Sequence, residues 1–340
     1  MNTQSNNTVV GRDCLYCGGN NYERLMERIE DRLGYVKGSW EFWRCRDCGS
    51  AMLAPFPKPS DLASFYPSVY SFAVERSGHS PLQRLLARME YYCFYERQYE
   101  AQAKRVLRVT GQIGAGKNLL DVGCGQGLRL LAFQRRGFTV QGMDFQPEAV
   151  EHVKTQLRIP AVCTDAERLR ECFPPGSFDL VTSFYMLEHI PDATSLVRNI
   201  ETLLRPGGWM VLGVPFVDSL QARFLGRRWA TATEAPRHVS IPTQQAMVCL
   251  CQKAGFNDVR VVPDSIFMCA GVVGLSLVPG SATTFMHHGK SLKTFGTRFL
   301  GALATALALP CCWMENHLWR QPGIGLVFAR KPANTTERPL

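Results

Sequence analysis

The 340-residue sequence has no run of five Lys or Arg, so it lacks the dense basic stripe common among nucleic-acid binders. It also lacks an apolar stretch as long as the roughly 20 residues a spanning helix needs. The two most apolar segments, 265–280 and 299–314, are uncharged but about sixteen residues each. Mean hydropathy is −0.10, which argues against a polytopic membrane protein. The start, MNTQSNNTVVGRD, has no charged-then-apolar signal pattern, so a cytoplasmic protein is expected. There is no internal repeat and no low-complexity tract. With 46% hydrophobic and 20% charged residues, disordered, collagenous and coiled-coil readings fall away. A chain of this length buries a sizeable core without disulfides.

The net charge is +9, and residues 281–340 hold seven basic and two acidic side chains. More than half of the excess therefore sits in the last sixty residues. Thirteen cysteines are scattered along the chain. In a reducing compartment, closely paired cysteines point to metal or redox chemistry. Two such pairs stand near the start: Cys14-Leu-Tyr-Cys17-Gly18 and Cys45-Arg-Asp-Cys48-Gly49, separated by 27 residues. Two residues between thiolates let one tight turn aim both sulfurs at one ion. Two such turns supply the closed four-thiolate set that structural zinc prefers. The expectation is a zinc ribbon over residues 12–60 with Cys14, Cys17, Cys45 and Cys48 as ligands.

Residues 61–112 are expected to be a linker and a helical lid. Ser80 and Pro81 open a helix that runs to 109, with an aromatic face from YYCFYERQY. From 117 the rhythm becomes strand–helix alternation. Strands are expected at 117–122, 139–144, 161–165, 178–184, 209–214 and 259–262, and helices at 128–136, 147–157, 193–204 and 244–254. Such alternation argues an α/β fold with a parallel sheet covered on both faces. The first strand runs into a glycine turn: Asp121-Val-Gly123-Cys-Gly125-Gln-Gly127. Glycines there let backbone approach a ligand at a helix N-terminus. The spacing is G-x-G-x-G, not the G-x-G-x-x-G of dinucleotide sites. The second strand ends in Asp144, placed to accept ribose hydroxyls. Asp165 ends the third.

These motifs together resemble class I S-adenosylmethionine-dependent methyltransferases. LLDVGCGQG, GMDFQPEAV, TDAERL, SFDLVTSFYMLEHIPD and LLRPGGWMVLGVP follow the order of that family's motifs. The resemblance implies a Rossmann-like seven-stranded methyltransferase sheet over residues 113–264, with S-adenosylmethionine as cofactor. It implies that Gly123 and Gly125, with Asp121 and Gly127, pass beneath the amino-acid end of the cofactor. Asp144 and Phe145 would meet the ribose side, Asp165 and Ala166 the adenine edge, and Glu188 and His189 would line the site beyond. Pro236-Arg237-His238 resembles a segment of bacterial enzymes from surface-glycan and lipid clusters. The N-terminal half, with Phe65-Tyr66-Pro-Ser-Val-Tyr70, is similar to theirs. His238 is the first candidate for a general base, because imidazole titrates near neutral pH. Tyr185 and His189 come next. Arg237 is expected to hold an anionic acceptor group. Deoxysugar C-methyltransferases also carry four Cys before such a domain. Their His-Glu-His-type segment is absent, and Pro-Arg-His stands instead.

Residues 265–332 are expected to be a C-terminal helical apolar tail. It is either a buried helix pair or a monotopic hairpin flanked by Lys290, Lys293, Arg298 and Arg320. The expected partner is a small-molecule, glycan or lipid-linked acceptor. Peripheral contact at the inner face of the membrane would come through 265–320. Two other functions fit less well. An rRNA or tRNA base methyltransferase with a zinc recognition module would want a basic ribbon, and residues 1–60 are nearly balanced in charge. Asn-Pro-Pro-Tyr is also missing after the fourth strand, where Phe184-Tyr-Met-Leu stands. A non-catalytic zinc-ribbon binding protein would not need the intact glycines and carboxylates.

Overall fold

The computed structural model describes residues 10–66, 96–278 and 292–333. Two sheets organise them. A small sheet contains β1 (Tyr22–Ile29), β2 (Trp40–Cys45), β3 (Ala51–Ala54) and, from far along the chain, β9 (Ser240–Ile241), in the order β1-β2-β3-β9. The large sheet contains β4 (Asn118–Val122), β5 (Thr139–Asp144), β6 (Ala161–Cys163), β7 (Phe178–Phe184), β8 (Leu204–Pro215), β10 (Asn257–Pro263) and β11 (Ile324–Arg330). Its order is β10-β11-β8-β7-β4-β5-β6. The five strands from β6 to β8 pair in parallel. β11 runs antiparallel between β8 and β10.

The helices are α1 (Arg97–Thr110), α2 (Leu128–Gln134), α3 (Pro147–Gln156), α4 (Ala193–Leu203), α5 (Leu220–Leu225), α6 (Gln244–Lys253), α7 (Ile266–Leu277) and α8 (Leu292–His317). Local chemistry sets many of their starts. Asp192, Ser219, Thr243 and Ser265 each accept a hydrogen bond from a first-turn backbone N–H of α4, α5, α6 and α7, which satisfies a donor the helix leaves orphaned. Pro147 opens α3. The central strand β7, FDLVTSF, is buried at every position, as expected for a strand covered on both faces.

The expected Rossmann-like sheet of seven strands is present, with two departures. The chain end is not helical throughout: Ile324–Arg330 is a strand. An apolar run of this length has no periodicity that separates strand from helix. Its partners lie far upstream, in β8 over a hundred residues away and in β10. Nor is the cysteine module set apart, because β9 extends its sheet from the loop after β8 (Ala51↔Ile241, Met52↔Ser240). The expected helix over 80–109 is seen from Arg97, and residues 80–95 lie outside the described residues. Tyr70, Lys290 and the first nine residues lie outside them too.

Candidate functional site

The glycine turn leaves the carboxyl end of β4. Gly123, Gly125 and Gly127 all have positive φ. Gly123 also has no room for a side chain, since a Cβ there would collide with Met186 Sδ. The turn is pinned to the next strand: the Gly123 and Cys124 N–H groups donate to Met143 O at 2.8 and 2.9 Å. Asp144 completes the pinning. Its carboxylate accepts from Gly125 N at 2.8 Å and Gln146 N at 3.0 Å. One accepted bond per oxygen leaves lone pairs for two further donors. Burial raises the Asp144 pKa, and those backbone donors oppose the rise.

Asp121 lies beneath the turn, fully buried. It accepts from Thr182 Oγ1 at 2.6 Å, and burial pushes its pKa up to about 6. Thr164 N donates to Asp144 O, which sets Asp165, exposed, beside that strand end. Ala166 is buried, with its carbonyl held by Asn199 Nδ2. Phe145 is 47% exposed at the rim, and the Tyr66 ring meets it edge-on at 5.4 Å.

Beyond Met186 a second group gathers. Glu188 and His189 follow β7, and His238 arrives from the loop after β8. Their ligand-type atoms lie within 4.8 Å of one another. His238 Nδ1 donates to Thr231 O at 2.7 Å, so the lone pair is on Nε2, 4.0 Å from Glu188 Oε1. The His189 Nδ1 proton faces the Arg237 carbonyl at 3.1 Å and the Tyr66 hydroxyl at 2.9 Å. The two imidazoles meet edge to face, with centroids 4.5 Å apart. Burial disfavours charge in all three. It lowers the His189 pKa to about 4 and holds that of His238 well below the usual imidazole value. It raises the Glu188 pKa to about 8. Both rings are thus neutral at pH 7. Glu188 Oε2 is buried with no hydrogen-bond partner among the described residues.

Two expected residues do different work. The Tyr185 hydroxyl donates to Asp264 and accepts from Gln102 Nε2 at 2.8 Å. Tyr185 has φ of 57°, and its side chain joins a network with Arg129, whose guanidinium stacks on Phe184 and donates to Gln102 Oε1. Burial and Asp264 hold its pKa well above the usual phenol range. Its hydroxyl proton is committed to Asp264. Arg237 is fully buried, not presented to an acceptor. It donates to both carboxylate oxygens of Asp31 and to Glu234 Oε2. Glu234 also accepts from Arg32. Burial would raise the Glu234 pKa, but the Arg32 and Arg237 guanidinium groups hold it near 2. Asp31 in turn accepts from the Leu33, Tyr35 and Val36 backbone N–H groups. The Pro-Arg-His signal thus marks a clamp as well as an imidazole. Sequence reasoning named neither Asp31 nor Tyr66 for the site, because Arg237 and His189, their partners there, are more than a hundred residues away.

The four expected metal ligands meet. Cys14 Sγ lies 3.5 Å from Cys48 Sγ, and Cys17 Sγ lies 3.5 Å from Cys45 Sγ. All four sulfurs fall within 4.8 Å of one another, close to the roughly 3.8 Å edges of a four-thiolate zinc tetrahedron. The turns match: Gly18 N donates to Cys14 O, and Gly49 N to Cys45 O. Both glycines have φ near 80°, at 80° and 76°.

Residues 94–261 match the family described as a methyltransferase domain. The glycine turn and sheet order of that segment agree with the match. The chain is 39% identical over 104 residues to the ubiquinone biosynthesis O-methyltransferase of Albidiferax ferrireducens, covering 28% of this chain and 40% of that one. It is 40% identical over 101 residues to that of Chromobacterium violaceum, covering 28% and 43%. The chain thus spans about two fifths of the length of these curated relatives. A solved S-adenosylmethionine-dependent methyltransferase from Archaeoglobus fulgidus is 17% identical with a TM-score of 0.45, covering 71% of this chain and 99% of that one.

Proposed function

We propose that the chain transfers a methyl group from S-adenosylmethionine to a hydroxyl oxygen of a small, glycan-linked or lipid-linked acceptor. The relatives with an O-methyltransferase name support the oxygen. One observation carries the reading: a neutral His238, with its Nδ1 proton committed to Thr231, turns the lone pair of Nε2 toward Glu188, two residues along the chain from the Met186 that packs on Gly123. The bound cofactor supplies an electrophilic methyl on its sulfonium. The glycine turn admits the amino-acid end of the cofactor. Asp144 accepts its ribose hydroxyls with the lone pairs that Gly125 and Gln146 leave free. Phe145 and Ala166 border the adenine, and Asp165 faces its edge. His238 Nε2 would take the acceptor's hydroxyl proton, and the cofactor would supply the methyl and leave as the neutral thioether once its sulfonium–carbon bond breaks. Tyr66 and His189 wall the acceptor side and exclude water. Cys14, Cys17, Cys45 and Cys48 hold a structural zinc, with no position left open for a catalytic water.

Calorimetry tests the cofactor assignment. Asp144→Ala is expected to weaken S-adenosylmethionine binding by about tenfold to a hundredfold, the worth of a hydrogen bond to a charged group. Transfer of isotope-labelled methyl to a panel of phenolic, sugar and lipid-linked hydroxyls then finds the acceptor class. Unchanged affinity in the variant removes Asp144 from the site.

A further inference from the structure

The helix pair that follows the large sheet leaves an apolar face outward. α7 and α8 pack antiparallel, with Gly274 against Gly301 and Thr305 at one end and Cys269 beside Asn316 at the other. The inner face of α8 carries Gly301, Ala308, Cys312, Glu315 and Asn316. Its outer face is Phe299, Leu300, Leu303, Leu307 and Trp313, with Phe299 60% and Leu307 71% exposed. No charged residue interrupts 299–314. Phe267 and Leu277 of α7 are exposed as well. Four turns of outward apolar helix exceed the scattered exposure of an ordinary surface. Yet no helix among the described residues is long and apolar enough to cross a membrane.

A basic elbow is tied to the same helix pair. α5 is tied to the pair where Gln221 donates to Glu315 and to Cys269 O. The chain is tied again where Ala230 N donates to Ser276 Oγ at 2.8 Å. Between the two anchors runs Arg223-Phe-Leu-Gly-Arg227-Arg228. Its three arginines are exposed, and Phe224 is 85% exposed. Just past the C-terminal end of α8, near the Glu315 anchor in sequence, Trp319, 52% exposed, is followed by exposed Arg320. An apolar stripe rimmed by arginine and tryptophan matches an anionic lipid interface, where rings sit at headgroup depth and guanidinium groups meet phosphates.

We propose that the outer face of α8, with the Arg223–Arg228 elbow, docks the enzyme on an anionic lipid surface without spanning it. The docked face belongs to the same chain as the imidazole pair, so a lipid-borne acceptor reaches an enzyme already held at its membrane.

Flotation of the full-length protein with vesicles of neutral phosphatidylcholine, or of phosphatidylcholine with phosphatidylglycerol, tests this. Binding is expected only to the anionic vesicles and is expected to weaken as salt shortens the Debye length. Leu303→Glu with Leu307→Glu is expected to lower binding at least about tenfold, since charge is placed on the buried side of an interfacial helix. Phe224→Ser is the gentler variant should the double change unfold the protein, and melting curves distinguish the cases. Arg223→Gln with Arg227→Gln and Arg228→Gln is expected to remove most of the salt dependence. Wild type that ignores both vesicles overturns the proposal, as does equal binding to both. A dimer in light scattering that Leu307→Glu splits, without vesicle binding, assigns the face to a second copy instead. None of these readouts depends on methyl transfer.

Discussion

At the scale of single residues, the site separates groups by protonation. Burial makes His238 and His189 harder to protonate and Glu188 harder to ionise, so all three are neutral near pH 7. General-base catalysis is typically worth about 10²–10⁴-fold. His238→Ala is expected to lower turnover by that order with cofactor affinity near wild type, as single-turnover kinetics and calorimetry will show. Because its pKa lies well below the usual value, the acid limb of the wild-type pH–rate profile is expected below the ordinary imidazole range. Glu188 makes a second expectation. Its pKa is raised from 4.5 to about 8 on folding. The stability of a buried neutral carboxyl is fully present below pH 4.5 and is lost as pH rises toward 8. Glu188→Gln is therefore expected to raise the melting temperature of the cofactor-free protein more at pH 8 than at pH 5. An equal gain at both pH values would contradict the raised pKa. His238, Glu188 and the glycines are legible in the sequence as motifs. The neutrality of the imidazoles is not, because it comes from burial by segments distant in the chain.

Among the elements, the loop between β8 and β9 is where the two sheets meet. It carries Glu234, Arg237 and His238, and it is held by Asp31 and Arg32 from the loop between β1 and β2. Removing one partner of a buried ion pair leaves an uncompensated charge, which costs about 3–5 kcal/mol. Arg237→Ala is expected to destabilise the protein by that amount, measured by denaturant unfolding. Its turnover is also expected to fall, because the loop whose Thr231 and Arg237 carbonyls hold His238 and His189 loses its anchor to Asp31. Asp31→Asn is expected to show the same pairing of effects. A variant with lowered turnover but wild-type stability would mean that Arg237 acts on substrate directly.

For the molecule as a whole, the cysteine module and the large sheet share one core. Tyr16, Tyr22 and Met52 pack in the same buried cluster as Leu120 and Met247. Tyr16 bonds Ser240, and Thr243 Oγ1 donates to Cys48 O at 2.8 Å. A structural metal contributes folding energy. Chelation is therefore expected to loosen residues 231–241 along with 12–54, read by hydrogen exchange. Turnover should fall with it, while S-adenosylmethionine binding persists at the far strand ends. Loosening confined to 12–54 would show that the ribbon does not support the loop.

The sequence by itself determined what depends on neighbours along the chain. Strands at 139–144 and 178–184, the glycine turn, the helix starts and the paired-cysteine turns all follow from local periodicity, capping and spacing. Contacts between distant segments were decided by the tertiary structure alone. β11 could be placed only by its pairing with β8, and Arg237 could be read as a clamp only once Asp31 lay against it. Tyr185 is read as part of a buried network because Asp264, seventy-nine residues away, accepts its hydroxyl hydrogen bond. Burial sets these outcomes: it decides which charges must pair and which groups stay neutral, and no local pattern of residue types encodes who the partner will be.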